Sequence, residues 1–369
     1  MSPYFILLIV CFCFIGSFLE ISTRKSQFVA AVAIVCFSTW LVATRNPQVV
    51  PDTDAYIYVY NRMSTASFNS WELYNFYGFE PGYIFLNILF NEIGMNYEGF
   101  FAAVYLIQVF FYVKGMKILD DIHQANAKLR HTLMVSTFIS IYLGYFGLFY
   151  GAIVLRTGIA LSMIFLAYAY YQSNKKVKAI IFAAGAVLFH TSAIILLIAI
   201  LGSLFIKNKP YNFYKKWISV IVLLWLSRVS LLFNKMLVVI MGFVSHIVPV
   251  LNRYMTNKYI GKLMGNGFAS KKNLLYLALG LLFVSYLKKK CDTTYCRCLN
   301  IYLIGLTVTC FFNEYSNGYR VYDLMIVFAI PLLLWIITDN NGIKLLNRLG
   351  IAEVVILLQF LMTYRILVG

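Results

Sequence analysis

Residues 3–19 read PYFILLIVCFCFIGSFL and residues 28–44 read FVAAVAIVCFSTWLVAT, and neither stretch carries a charged side chain. A helix built from either one is apolar on every face, so it needs lipid or other helices all around it. Similar runs recur near residues 98–116, 132–150, 153–172, 217–233, 274–287, 298–313, 319–337 and 350–367. The whole chain of 369 residues is 61% hydrophobic, 17% aromatic and only 12% charged. That is too apolar to be hidden in a soluble core of this size. The expected fold is therefore all-α, a polytopic integral membrane helix bundle forming one domain over 1–369. At about 20 residues per crossing it has room for roughly ten to twelve transmembrane helices. A soluble enzyme, a nucleic-acid-binding protein and a secreted disulfide scaffold are excluded. The first run lacks a basic leading segment and is read as a permanent span.

The net charge of +17 comes from 31 Lys and Arg against 14 Asp and Glu. In a membrane chain basic residues first report sidedness. Arg24/Lys25, Lys114/Lys117/Lys128/Arg130 and Lys175/Lys176/Lys178 fall on one side if residues 81–94 form an interfacial helix, with Tyr83, Asn87, Asn91 and Gly94 as its polar stripe. The stretch 178–205 is long for one helix and short for two crossings. It reads either as a re-entrant hairpin turning near His190 or as one long tilted helix. With this topology residues 45–97 form an external loop containing the interfacial helix, and 251–273 form a basic external loop. Arg45, Arg62, Arg156, Arg253, Lys258, Lys262, Lys271, Lys272 and Arg320 then lie on the face that normally avoids basic residues, which points to an anionic partner.

The external segment Pro51-Asp52-Thr53-Asp54-Ala55-Tyr56 with Tyr58 and Tyr60 sets carboxylates beside aromatic rings. That combination suits sugars, whose C–H faces stack while their hydroxyls seek acceptors, and it equally suits an interfacial aromatic belt. Asp52-Thr53-Asp54 also spells a D-x-D pair, a weak metal signal without a nucleotide-binding α/β domain. In Glu80-Pro81-Gly82-Tyr83 the proline fits a first helical position, so Glu80 is either a cap or an oriented carboxylate. Arg156 opens an apolar helix and calls for a partner at membrane depth. His190, between apolar runs, is suited to proton transfer. His246 is a weaker candidate. Arg320 has Asp323 at i+3, where the two can pair. The seven Cys follow no pairing pattern and are read as free thiols.

Ala43-Thr44-Arg45 followed by Asp52-Thr53-Asp54-Ala55-Tyr56 and Tyr60, then Glu80-Pro81-Gly82-Tyr83, Leu155-Arg156-Thr157-Gly158-Ile159-Ala160, Phe189-His190-Thr191-Ser192 and Arg320 with Tyr322, stand in an order that resembles the EpsG-like branch of the Wzy-type bacterial polysaccharide polymerases. The resemblance implies a C-type glycosyltransferase-like helix bundle in the bacterial inner membrane, with its interfacial and re-entrant helices and its active site on the periplasmic or exterior side. It implies transfer of a growing glycan from undecaprenyl pyrophosphate to a sugar hydroxyl of another lipid-linked repeat unit, in O-antigen, capsule or exopolysaccharide synthesis. Its partners would be undecaprenyl-pyrophosphate-linked oligosaccharides, the lipid bilayer and a chain-length regulator, with no nucleic acid, no cofactor and no metal.

That reaction needs cations for the leaving pyrophosphate and a base for the acceptor hydroxyl. Arg45, Arg156 and Arg320, with Arg253 and Lys258 from the basic loop, are the expected pyrophosphate contacts. His190, Asp52, Asp54 and Glu80 are the expected catalytic groups, and Tyr56, Tyr60 and Tyr83 the expected sugar-binding ones. A carrier for lipid-linked sugars is the competing reading. Carriers commonly show repeat symmetry between halves, and the spacing of apolar runs shows none here.

Overall fold

Every regular element in the computed structural model is helical among the residues it describes, namely 3–63, 79–128, 132–206, 208–247, 271–287, 292–313, 318–339 and 344–368. The chain divides into two compact units, Met1–Leu197 with Leu333–Gly369, and Ile198–Leu332.

The first unit opens with α1 (Pro3–Thr23) and α2 (Phe28–Ala43), the two runs that fixed the fold class. Two short helices follow, α3 (Thr53–Met63) and α4 (Pro81–Glu92). The long α5 (Tyr97–Ala127) is capped by the Asn96 side chain, which accepts from the Gly99 N–H. Next come α6 (Val135–Ala152), which contains a π-helical turn at Leu143–Gly147, then α7 (Leu155–Gln172) and α8 (Lys176–Phe189). Helix α7 packs against both α5 and α8 and is buried along most of its length. Because protein surrounds it, it tolerates Thr157, Ser162 and a run of tyrosines that a lipid-facing helix would avoid. The buried carboxylate of Glu20 accepts from the N–H groups of Ser136 and Thr137, satisfying orphan donors at the start of α6.

The chain breaks after α8 at His190, whose backbone is extended, and resumes as α9 (Ala193–Ile206). One long tilted helix is therefore set aside in favour of two short ones. The second unit includes α10 (Tyr211–Leu226), α11 (Val229–Ile247), α12 (Lys271–Leu287), α13 (Thr293–Phe312) and α14 (Tyr319–Ile326). The expected single span at 217–233 is interrupted at Ser227-Arg228. Arg228 takes a left-handed φ of 52° there, and the axes on either side differ by 70°. Helix α14 is followed by α15 (Ala329–Thr338), and the chain ends in α16 (Leu345–Val368), which packs on α1.

Among the described residues six helices are long and apolar enough to cross a membrane, or up to seven if the bent pair is one span. Shorter apolar helices stand at Phe28–Ala43, Ala193–Ile206 and Lys272–Leu287, the first and last of them on runs expected to cross. The chain is a polytopic helical membrane protein.

Candidate functional site

Pro81 takes the first position of α4 and leaves Glu80 as the residue at its N-terminal boundary, with extended backbone and no capping bond from its side chain. The carboxylate is committed elsewhere. Its Oε1 lies 2.5 Å from His190 Nδ1 and accepts from the Thr191 backbone N–H at 3.4 Å, while Oε2 accepts from Arg156 Nη1 at 2.6 Å. The side chains of Glu80, Arg156 and His190 are 8%, 20% and 23% exposed, so the cluster is shielded but not sealed.

Two glycines explain how three helices come this close. A Cβ on Gly82 would stand 2.9 Å from the Leu188 carbonyl oxygen, so only glycine lets α4 lie against the end of α8 and deliver Glu80 to His190. A Cβ on Gly158 would stand 2.5 Å from the Tyr150 carbonyl oxygen and 2.7 Å from Gln108 Oε1. The first turn of α7, which presents Arg156, is thereby seated on α6 and α5.

Aromatic rings surround the ionic cluster. The Arg156 guanidinium carbon lies 4.2 Å from the centre of the Phe79 ring, a cation–π contact. Tyr56 stacks on Phe79 at 6.0 Å and meets Tyr83 edge-on at 5.7 Å. Tyr56, Tyr60, Tyr83, Phe100, Phe101, Val104 and Leu155 form one buried cluster joining α3, α4, α5 and α7. Tyr60 faces away from the ions, stacking on Phe100 at 4.8 Å and donating its hydroxyl to the Met95 carbonyl at 2.6 Å.

Electrostatics follow from this packing. Burial by itself would raise the Glu80 carboxyl, but the His190 hydrogen bond and the Arg156 charge outweigh it and hold the group below the usual carboxylate range. Burial raises the Tyr56 phenol, and the nearby Arg156 guanidinium partly offsets that. Since ionised Glu80 can only accept, His190 Nδ1 donates to it, which leaves Nε2 for a second partner. A carboxylate orienting an imidazole beside a guanidinium can accept a proton from a hydroxyl and stabilise developing negative charge on a neighbouring group.

Of the residues singled out in the sequence, Arg45, Tyr56, Glu80, Tyr83, Arg156 and His190 gather in the first unit. Asp52 and Asp54 are both exposed, and Thr53 between them is the buried member. The polar stripe of α4 faces protein: Asn87 is buried and donates to the Tyr83 carbonyl, and Asn91 donates to the Tyr60 carbonyl. Phe85 and Leu89 are the exposed side instead. Arg320 lies exposed in α14 in the second unit, and there Asp323 accepts from Lys272 Nζ at 3.0 Å. Arg253, Lys258 and Lys262 lie outside the described residues, as do the side chains of Lys271 and His246. Phe101 and Gln108 were not anticipated: one is an aromatic in an apolar run, the other a lone amide, and neither carries a local signal of its role.

No curated protein and no solved structure matches the chain. The EpsG family model matches residues 28–367, nearly the full length, and this stretch takes in every member of the Glu80 cluster. The chain therefore belongs to the EpsG family, a Wzy-like polymerase family.

Proposed function

We propose that this chain is a bacterial polysaccharide polymerase, serving O-antigen or capsule synthesis, that moves a growing glycan from undecaprenyl pyrophosphate to a sugar hydroxyl of another lipid-linked repeat unit. It would sit in the inner membrane with the Glu80 cluster facing the periplasm or exterior. The observation that carries the reading is the single carboxylate of Glu80 held between His190 and Arg156, which supplies a base and a cation side by side.

In this reading His190 Nε2 takes the proton of the acceptor hydroxyl while Glu80 holds Nδ1–H and stabilises the imidazolium that forms. The acceptor oxygen bonds to the anomeric carbon of the donor glycan. The bond from that carbon to the pyrophosphate oxygen breaks, and its electron pair leaves with the lipid pyrophosphate. Arg156 neutralises the charge that develops there. Such a leaving group needs no proton donor, so one base suffices. Tyr56 and Tyr83, which are buried, do not reach the sugar as the sequence suggested; they back the Phe79 ring that lies against Arg156. Arg320 and the basic stretch with Arg253 and Lys258 would attract anionic lipid headgroups.

The test is the purified chain in proteoliposomes supplied with lipid-linked repeat units. A ladder of lengthening glycans that vanishes with Arg156→Ala supports the proposal. Movement of the lipid-linked units across the bilayer with no ladder overturns it and favours a carrier.

A further inference from the structure

We infer that Arg45 serves the reaction as a positioning residue, fixing from within the fold the start of α3 that carries Tyr56, and does not touch the lipid pyrophosphate. The inference rests on the polymerase reading above and narrows it, because an outward-leaflet arginine is the residue type expected in a pyrophosphate clamp.

A clamp works by presenting two parallel N–H groups of the guanidinium fork to an open anion. Arg45 does not offer that geometry. It is 3% exposed. Its Nε donates to Thr53 Oγ1 at 3.1 Å and its Nη1 to the Val42 carbonyl at 2.7 Å. The Phe101 ring covers the plane of the guanidinium, with its centre 3.7 Å from the central carbon. The remaining nitrogen, Nη2, is closed off from solvent as well.

What the group does hold is the frame of the site. The bond to Val42 ties it to the last turn of α2, and the bond to Thr53 fixes the first residue of α3, one turn before Tyr56. Burial pushes its pKa down to about 10, which leaves it charged at neutral pH. That charge acts first on Tyr83 and then on Tyr56, and both phenols also feel Arg156. The two tyrosines thus lie in the field of two guanidinium groups, one committed to the fold and one partly exposed. Loss of Arg45 lets α3 and the Tyr56 ring drift, which degrades alignment of reacting groups more than it degrades binding.

The experiment measures two quantities on the full-length chain in detergent. One is the Kd for a fluorescent farnesyl pyrophosphate analogue. The other is turnover with saturating lipid-linked repeat units. Arg45→Met should keep the Kd within about twofold and lower turnover about tenfold, whereas Arg156→Met should weaken binding about tenfold or more. Arg45→Lys, which keeps a cation over Phe101, should recover part of the turnover. If Arg45→Met fails to fold, Thr53→Val decides, since it removes the Nε acceptor without removing the charge: lower turnover at unchanged Kd supports the inference, and unchanged turnover overturns it. Weakening of probe binding by Arg45→Met as severe as that by Arg156→Met also overturns it. Failure of the unmodified chain to bind the probe or to lengthen glycans would strike the polymerase reading itself.

Discussion

Two histidine–carboxylate pairs lie at the two ends of α5, and they are built differently. Near its start, Glu80 joins His190 and Arg156 at a partly open place ringed by tyrosines. Near its end, His123 Nε2 lies 3.3 Å from Asp339 Oδ2, with side-chain exposures of 2% and 0%. The Trp335 ring stacks on His123 at 4.3 Å and donates its indole N–H to Asp120 at 3.1 Å. Gln124 donates to the other oxygen of Asp120 at 2.7 Å. Phe101 and His123 are about 33 Å apart along the helix by its rise per residue. The pair near the end has two carboxylates and is roofed by an indole, a closed arrangement suited to fastening α5 to α15 and to Asp339 just beyond it. The pair near the start has one carboxylate shared by His190 and Arg156 and is partly exposed. A histidine–carboxylate pair is thus closed in one place and partly open in the other, set apart by exposure and charge balance.

The largest expected effect falls on the open pair. Glu80→Gln keeps the shape but loses the charge that orients His190, and turnover should fall by about 10²–10⁴-fold in the glycan-ladder assay. Arg156→Ala should cost about 10²–10³-fold by removing the cation beside the leaving group. Gly82→Ala pushes α4 off the Leu188 carbonyl and should lower turnover about tenfold by separating Glu80 from His190. At the closed pair, Asp339→Asn should destabilise the chain by about 3–5 kcal/mol, read as a lower thermal midpoint, with turnover per folded molecule within about twofold. A loss of turnover there without loss of stability would erase the distinction between the two ends. Acidification should act through Glu80 in one direction: its folded pKa lies below the usual 4.5, so the stability it contributes is complete above that value and is lost as pH falls through the lower, folded one. A thermal midpoint that already falls between pH 7 and 5.5 in the wild type but not in Glu80→Gln would contradict this. The smallest effect belongs to Asp54→Asn, an exposed carboxylate whose loss should change turnover by less than about twofold.

The crossings were legible in the sequence because lipid imposes long uncharged runs, and α1, α2, α13 and α16 follow them closely, while α5 starts where its run does and continues past it to Ala127. The bend at Ser227-Arg228 was not, since nothing in the apolar run marks where a left-handed residue will stand. Nor was the division into two units, because apolar composition is uniform across positions 197 and 332 and leaves no polar linker to read. In the site, Glu80, Arg156 and His190 stood out as charges and a histidine among apolar residues, yet their separation by 76 and 110 positions hid that they meet. The stripe on α4 was visible and its direction was not: periodicity identifies a polar face but not which neighbour it serves. Arg45 stood out as an external arginine, but its burial depends on Phe101 and Thr53, which only the fold brings to it.

The most direct test compares Glu80→Gln with Asp339→Asn in one glycan-ladder assay, with rates expressed per folded molecule. The account predicts that Glu80→Gln, even where its stability falls, lengthens glycans at least about a hundredfold more slowly per folded molecule, while Asp339→Asn is less stable and lengthens glycans at the wild-type rate. Wild-type ladders from Glu80→Gln would contradict it.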